Sequence, residues 1–217
     1  MNNKIDEIKA FLEAEIVPRY DAFDAGHRRD HVHSVMRESL RLATFYPQVE
    51  PSMVLVAAAY HDLGLAVGRE VHHVESAKIV RADSRLLRWF TPQQIEVIAQ
   101  AAEDHRASSS REPRSLYGRL VAEADRQIVP EEIVRRTMQF TRAHSPELGE
   151  EAQYARLVEH LNEKYARGGY LRLWIPESGN AQGLEVLRSL IADEPRLRAL
   201  FNRLLPTLLQ RRQELSS

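Results

Sequence analysis

Apolar side chains recur every three or four residues along almost the whole chain, which is the period of an α-helix. Ile5, Ile8, Leu12 and Ile16 mark a first helix, ended near Pro18. Asp30 is placed to cap a second, running to about Tyr46, with Val32, Val35, Met36, Leu40 and Leu42 mostly on one side. Pro51 opens a third, PSMVLVAAAYHDLGL, because proline is tolerated at the first helical position. This helix is apolar nearly all round, so it is expected to be central and buried, and Gly64 and Gly68 end it. A fourth runs from about His72 to Leu87, and a fifth from Thr91, an N-cap before Pro92, to about Glu103. Residues 106–113, RASSSREP, read as a polar loop. Helices follow at about 114–127, 130–143, 150–166, 181–192 and 195–213.

The segment GGYLRLWIPESGN at 168–180 breaks this rhythm with a glycine pair, aromatics and proline. It reads as an extended or irregular crossing, with a short hairpin as one outcome. No run alternates strongly enough to build a sheet, so the class is all-α: a helical core with a C-terminal helical extension. At 217 residues the chain is near the upper end for one domain. We expect a single domain over 1–217, with a core at about 20–130 and the extension at about 131–217.

The composition excludes several functions. Thirty Lys and Arg balance 31 Asp and Glu, which argues against a nucleic-acid protein or a polybasic membrane-surface protein. With no cysteine there is no disulfide framework, zinc ribbon or thiolate nucleophile. That usage fits a reducing, cytoplasmic setting. The start, MNNKIDEIKAFLEAEI, is charged and amphipathic and is no signal peptide. The longest apolar run, Met53 to Tyr60, is far too short to span a bilayer. Any metal chemistry must run on His, Asp and Glu.

The third helix carries the sharpest clue. After the uncharged stretch VLVAAAY come His61 and Asp62. An unpaired carboxylate at the end of a buried helix is costly, so it is normally paired or bound to a cation. A histidine cap with an Asp–Arg pair would explain the doublet if nothing else matched. Two other segments do match. His31, in DHVHSV, stands one residue before Val32 and four before Val35, so it edges the apolar face. Asp125, in LVAEADRQIV, stands four residues after Val121 and three before Ile128. Two imidazoles and two carboxylates from three segments suit a divalent cation such as Mn, Fe, Co, Ni or Mg, with positions left for water.

The order of these pieces resembles the HD-domain superfamily of metal-dependent phosphohydrolases. The matching residues are the first histidine of HVHSV, the doublet in AAAYHDLGLA, the stretch HHVESAKIV, the histidine of EDHRASSS and the aspartate of LVAEADRQ. The likeness covers about residues 20 to 130. It implies that His31, His61, Asp62 and Asp125 bind the metal, within about five core helices. Some members use two further histidines for a second ion; His72 and His105 stand at those places, with His72 fitting better than His73. One ion or two are therefore open, and the bland alternative has both histidines line the pocket and bond a phosphate. Some nucleotidase members carry an acid soon after the doublet; this chain reads Leu63-Gly64-Leu65-Ala66 there, and Glu70 is the next acid. The residues HRRDH at 27–31 also put arginine where an acid often stands.

The resemblance implies hydrolysis of a small phosphate ester or nucleotide, with Asp62 also the catalytic group that orients or deprotonates a water. Phosphate needs cationic donors, and the arginine fork suits it. Arg106, beside His105, is the first choice, Arg28 the second. His27, four residues before His31, is a candidate to face substrate. His33, His144 and His160 read as ordinary surface or packing histidines, and Trp89, Phe90 and Trp174 as core. The C-terminal helices fit core support or a homo-oligomer interface. Two rivals stand beside this reading: a di-iron oxygenase on the same fold, and a non-enzymatic module that binds a nucleotide or a protein partner.

Overall fold

The computed structural model describes residues 2–23, 28–108 and 111–214. Ten α-helices carry the fold, with no strand among the described residues. They divide into two compact units, one of residues 1–127 and 173–178, the other of 128–172 and 179–217.

In the first unit, α1 (Asn2–Phe11) runs on through a π turn (Leu12–Ile16) and a 3-10 helix (Val17–Ala22). The helical path thus passes Pro18 instead of stopping there, because proline sits in the first turn of a new 3-10 segment, where its missing N–H costs nothing. Next come α2 (Arg29–Ala43), α3 (Pro51–Tyr60), a 3-10 turn (Leu63–Ala66), α4 (His72–Ala82), a 3-10 helix (Ser84–Arg88), α5 (Pro92–Glu103) and α6 (Leu116–Arg126). Three details differ from the sequence reading. Asp30 does not cap α2: Arg28 precedes the helix, and Asp30 lies in the first turn, where a carboxylate favours the helix dipole. α3 stops at Tyr60, which puts His61 and Asp62 in the turn beyond it. The helix expected from His72 to Leu87 breaks at Asp83, whose carboxylate accepts from the Arg85 N–H at 3.1 Å and from the Tyr60 hydroxyl at 2.7 Å. α5 begins as expected, with a reciprocal capping box between Thr91 and Gln94.

α3 is the axis of this unit. Every residue from Ser52 to Tyr60 is buried, and α2, α5 and α6 pack around it. The small side chains Ala57, Ala58 and Ala59 let these neighbours approach closely at its C-terminal end, which is where the doublet follows. Glu50, just before α3, ties several elements together: it accepts from Lys4 at 2.5 Å, Ser52 at 2.7 Å and Gln94 at 3.0 Å, and its N–H donates to Tyr117 at 3.0 Å.

Residues 173–178 form no hairpin; they cross α6 as an irregular strap. Buried Glu123 of α6 holds the strap, accepting from the N–H groups of Trp174 and Ile175 at 2.6 and 3.3 Å and from the Ser178 hydroxyl at 2.5 Å.

The second unit contains α7 (Pro130–His144), α8 (Glu150–Tyr165), α9 (Asn180–Ala192) and α10 (Glu194–Glu214). Its core includes Val134, Met138, Leu157, Leu161, Leu187 and Phe201. Tyr154 meets Phe201 edge-on at 5.2 Å and carries the Arg198 guanidinium 3.6 Å over its ring. No helix among the described residues is long and apolar enough to cross a membrane.

Candidate metal centre

Five elements of the first unit deliver histidines and carboxylates to one place. The opening turn of α2 brings His31, the turn after α3 brings His61 and Asp62, and the last turn of α6 brings Asp125. α4 starts with His72, and His105 follows α5.

Asp62 is the centre of the arrangement, and its two oxygens face different partners. Oδ2 lies 3.1 Å from His61 Nε2 and 3.5 Å from His31 Nε2. Asp125 Oδ1 closes that side, 3.2 Å from His31 Nε2 and 3.7 Å from His61 Nε2. The two imidazole nitrogens are 3.3 Å apart. Oδ1 of Asp62 lies 3.4 Å from His105 Nε2 and 3.5 Å from His72 Nε2, and those nitrogens are 3.0 Å apart. His61 is fully buried and the side chains of His105 and Asp62 are 3% and 5% exposed, whereas the Asp125 side chain is 25% exposed and opens the centre on that side.

The tautomers follow from the backbone. His61 Nδ1–H donates to the Ala58 carbonyl at 2.7 Å, His105 Nδ1–H to Ala102 at 2.6 Å and His72 Nδ1–H to Arg69 at 2.7 Å. Each neutral ring therefore aims an Nε2 lone pair at Asp62. Lone pairs and carboxylate oxygens facing each other are repulsive unless a positive charge lies between them. The donor set thus fits a cation: ligands on adjacent positions of an octahedral ion with bonds of about 2.1 Å sit roughly 3 Å apart.

The same demand for positive charge appears in the titration behaviour. Burial pulls the His61 imidazole down, but the Asp62 charge and the bonds to Asp125 and Asp62 overcome it, and its pKa ends well above the ordinary histidine value. His31 is likewise lowered by burial and raised overall by Asp125 and Asp62. Burial works against the Asp62 carboxylate, yet the histidines hold its pKa well below the usual range; Asp125 behaves the same way through His31 and His61. His72 goes in the other direction: burial and the neighbouring His105 lower it to about 4.

The other anticipated residues are placed as follows. His73 lies outside both groups, with its Nδ1 3.3 Å from Arg106 Nη1. The Arg106 guanidinium donates to the Ser108 hydroxyl at 2.8 Å and to the Glu70 carbonyl. Arg28 is exposed at the start of α2. His27 lies outside the described residues. Half-buried His33 pairs with Glu13, and His144 stacks on Phe140.

Three supporting residues carry no chemical motif. Fully buried Tyr20 donates its hydroxyl to the Ala59 carbonyl at 2.9 Å and accepts from the Asp62 N–H at 3.4 Å. Burial, then the Asp62 charge, raises its pKa well above the ordinary phenol value, so it stays protonated. Ser76 of α4 accepts from the Gly64 N–H at 2.9 Å and so ties the turn after the doublet to the His72 helix. Gln127 ends α6 in the left-handed region at φ 34° and accepts from Ser34 at 3.2 Å. The one sequence signal for Tyr20 is its place four residues after Ile16, on the apolar face.

The HD-domain family model matches residues 28–127. This stretch is an HD domain. His31, His61, Asp62, His72, His105 and Asp125 all fall inside it. No curated protein and no solved structure matches the chain. HD domains are all-α and typically metal-dependent hydrolases. Among the described residues, two groups of buried and half-buried donors could hold a metal, His31–His61–Asp62 and Asp62–His72–His105.

Proposed function

We propose that the chain is a divalent-metal-dependent phosphohydrolase acting on a small phosphate ester or nucleotide in a cytoplasmic setting. The observation that carries this reading is the convergence of Nε2 lone pairs and carboxylate oxygens on Asp62. His31, His61, Asp62 and Asp125 would hold the ion; Mn, Fe, Co, Ni and Mg all suit nitrogen and oxygen donors without thiolate. When bound, such an ion acidifies a water and polarises a phosphoryl oxygen.

The chain's own residues do the rest. Asp62 orients the attacking water or accepts its proton. The water oxygen forms the new bond to phosphorus, the ester P–O bond breaks, and the leaving oxygen takes up a proton. Burial of His61 and Asp62 keeps bulk water from competing for those contacts. Arg106 and Arg28 are the candidate phosphate donors at the rim, and His27 a candidate to face the rest of the substrate. A second ion at Asp62, His72 and His105 is favoured over a simple phosphate contact by one observation. Both Nδ1–H groups are already used on backbone carbonyls, which leaves acceptor nitrogens, not donors, facing inward.

The test is a phosphatase screen over nucleotides and sugar phosphates with each metal, paired with elemental analysis. Phosphate release is expected from the metal-loaded chain and none from Asp62→Asn. Replacing a direct ligand is expected to cost more metal affinity than the about 10–100-fold typical of an outer partner. Phosphate release that survives without metal would sink the proposal. Two irons per chain with oxygen uptake, and no hydrolysis, would replace it with an oxygenase.

A further inference from the structure

We propose that Tyr20 is a positioning residue that sets the Asp62 peptide in place before any ion binds. Its role rests on the metal-holding reading of Asp62. The residue lies in the 3-10 helix Val17–Ala22, ahead of the stretch 28–127 that matches the HD family.

The geometry is that of a clamp across a helix end. α3 stops at Tyr60, and the next residues leave helical bonding to enter the turn at 63–66. A buried helix terminus leaves carbonyl groups without intrahelical donors, and these need other partners. The Tyr20 hydroxyl donates to one of them, Ala59, at 2.9 Å, and at the same time accepts from the Asp62 N–H at 3.4 Å. One hydroxyl therefore fixes the backbone on both sides of His61. The side chains that depend on this are the ones that matter: His61 is turned by Ala58, and Asp62 sends one oxygen to each histidine pair. The ring has no room to swing. Tyr20 is fully buried and meets Phe23 edge-on at 5.4 Å. The hydroxyl bonds the backbone on either side of His61, so it acts through the Asp62 peptide.

Tyr20→Phe keeps the ring and removes only the clamp. Tyr60→Phe is the control: Tyr60 is equally buried, but its hydroxyl bonds Asp83 at 2.7 Å, away from the doublet. Mn²⁺ affinity is measured by competition with a chromophoric chelator, alongside circular dichroism and amide hydrogen exchange on the metal-free chains. Tyr20→Phe is expected to weaken Mn²⁺ binding about tenfold, the low end for an outer partner, and to lower kcat with KM held. It is also expected to speed exchange at the Asp62 amide about tenfold, the value of one hydrogen bond, while amides in the middle of α3 keep their rates. Tyr60→Phe should leave Mn²⁺ affinity at the wild-type level.

Affinity and Asp62 exchange within twofold of wild type in Tyr20→Phe would overturn the role. So would equal losses in both variants, which would mean general loosening. If the unaltered chain binds no divalent ion, the metal reading fails, and Asp62 exchange still decides for or against the clamp. If Tyr20→Phe does not fold, the unaltered metal-free chain decides: a protected Asp62 amide supports the clamp, and a freely exchanging one rejects it.

Discussion

Gly64 sits so close to His72 that a Cβ on Gly64 would fall 2.0 Å from the His72 carbonyl oxygen. The backbone of Ser76 and the side chain of Glu75 would lie 2.7 and 2.8 Å away. The turn after the doublet thus packs directly on the first turn of α4, and only a residue without a side chain permits it.

Gly64→Ala must therefore push α4 away from the turn. We expect a loss of about 3 kcal/mol, the upper end for overpacking, read by urea unfolding. His72 should move with α4, so the spacing to His105 opens and any occupancy at that pair falls. Gly68→Ala is the comparison: it has nothing within 4 Å and meets only the strain of φ +151°, so its effect should be smaller and leave metal content alone. Equal effects of the two would refute this packing account.

Protons and metal compete for the same lone pairs. In the metal-free chain His31 and His61 hold protons above the ordinary histidine value of about 6.5, while Asp62 and Asp125 stay ionised far below it. Metal affinity is then expected to rise as pH is raised through the neutral range and to fall as it is lowered, with protons released on binding. The contribution of the two raised histidines to metal-free stability has the opposite sense. It is fully present below about pH 6.5 and is lost as pH climbs through their folded values. Titration calorimetry in buffers of different ionisation enthalpy counts the protons, and an affinity that does not change with pH would contradict the tautomer assignment.

Glu123 makes the strap dependent on α6. Glu123→Ala leaves the N–H groups of Trp174 and Ile175 and the Ser178 hydroxyl without this acceptor. A hydrogen bond is worth about 1 kcal/mol net, so losing three is expected to cost about 3 kcal/mol, with Glu123→Gln in between. Denaturant midpoints measure both. A change under about 0.5 kcal/mol, the range of an ordinary surface substitution, would show that the strap does not need the carboxylate.

The helices were legible because most buried faces repeat at the helical period, and the doublet stood out because charge follows an apolar helix. The helical period runs on through Leu86 and Leu87, past the end of α4, whereas Asp83 breaks the helix through a contact with Tyr60, distant in sequence. His31 and Asp125 were visible by their places on apolar faces. Tyr20 and Glu123 were not, because a buried phenol or a helical glutamate carries no mark of what it bonds 39 or 51 residues away. The order of elements could not show that the strap belongs to the first unit, since its neighbours on both sides belong to the second.

That strap bears on what a transplant of this centre would require. The family-matched stretch is not a portable module. Moved alone into another protein, residues 28–127 would carry every metal donor but leave behind the phenol that steadies the doublet and the three groups that donate to Glu123. The smallest piece that keeps its own interior satisfied is discontinuous in sequence, and it must include Tyr20 on one side and residues 174–178 on the other.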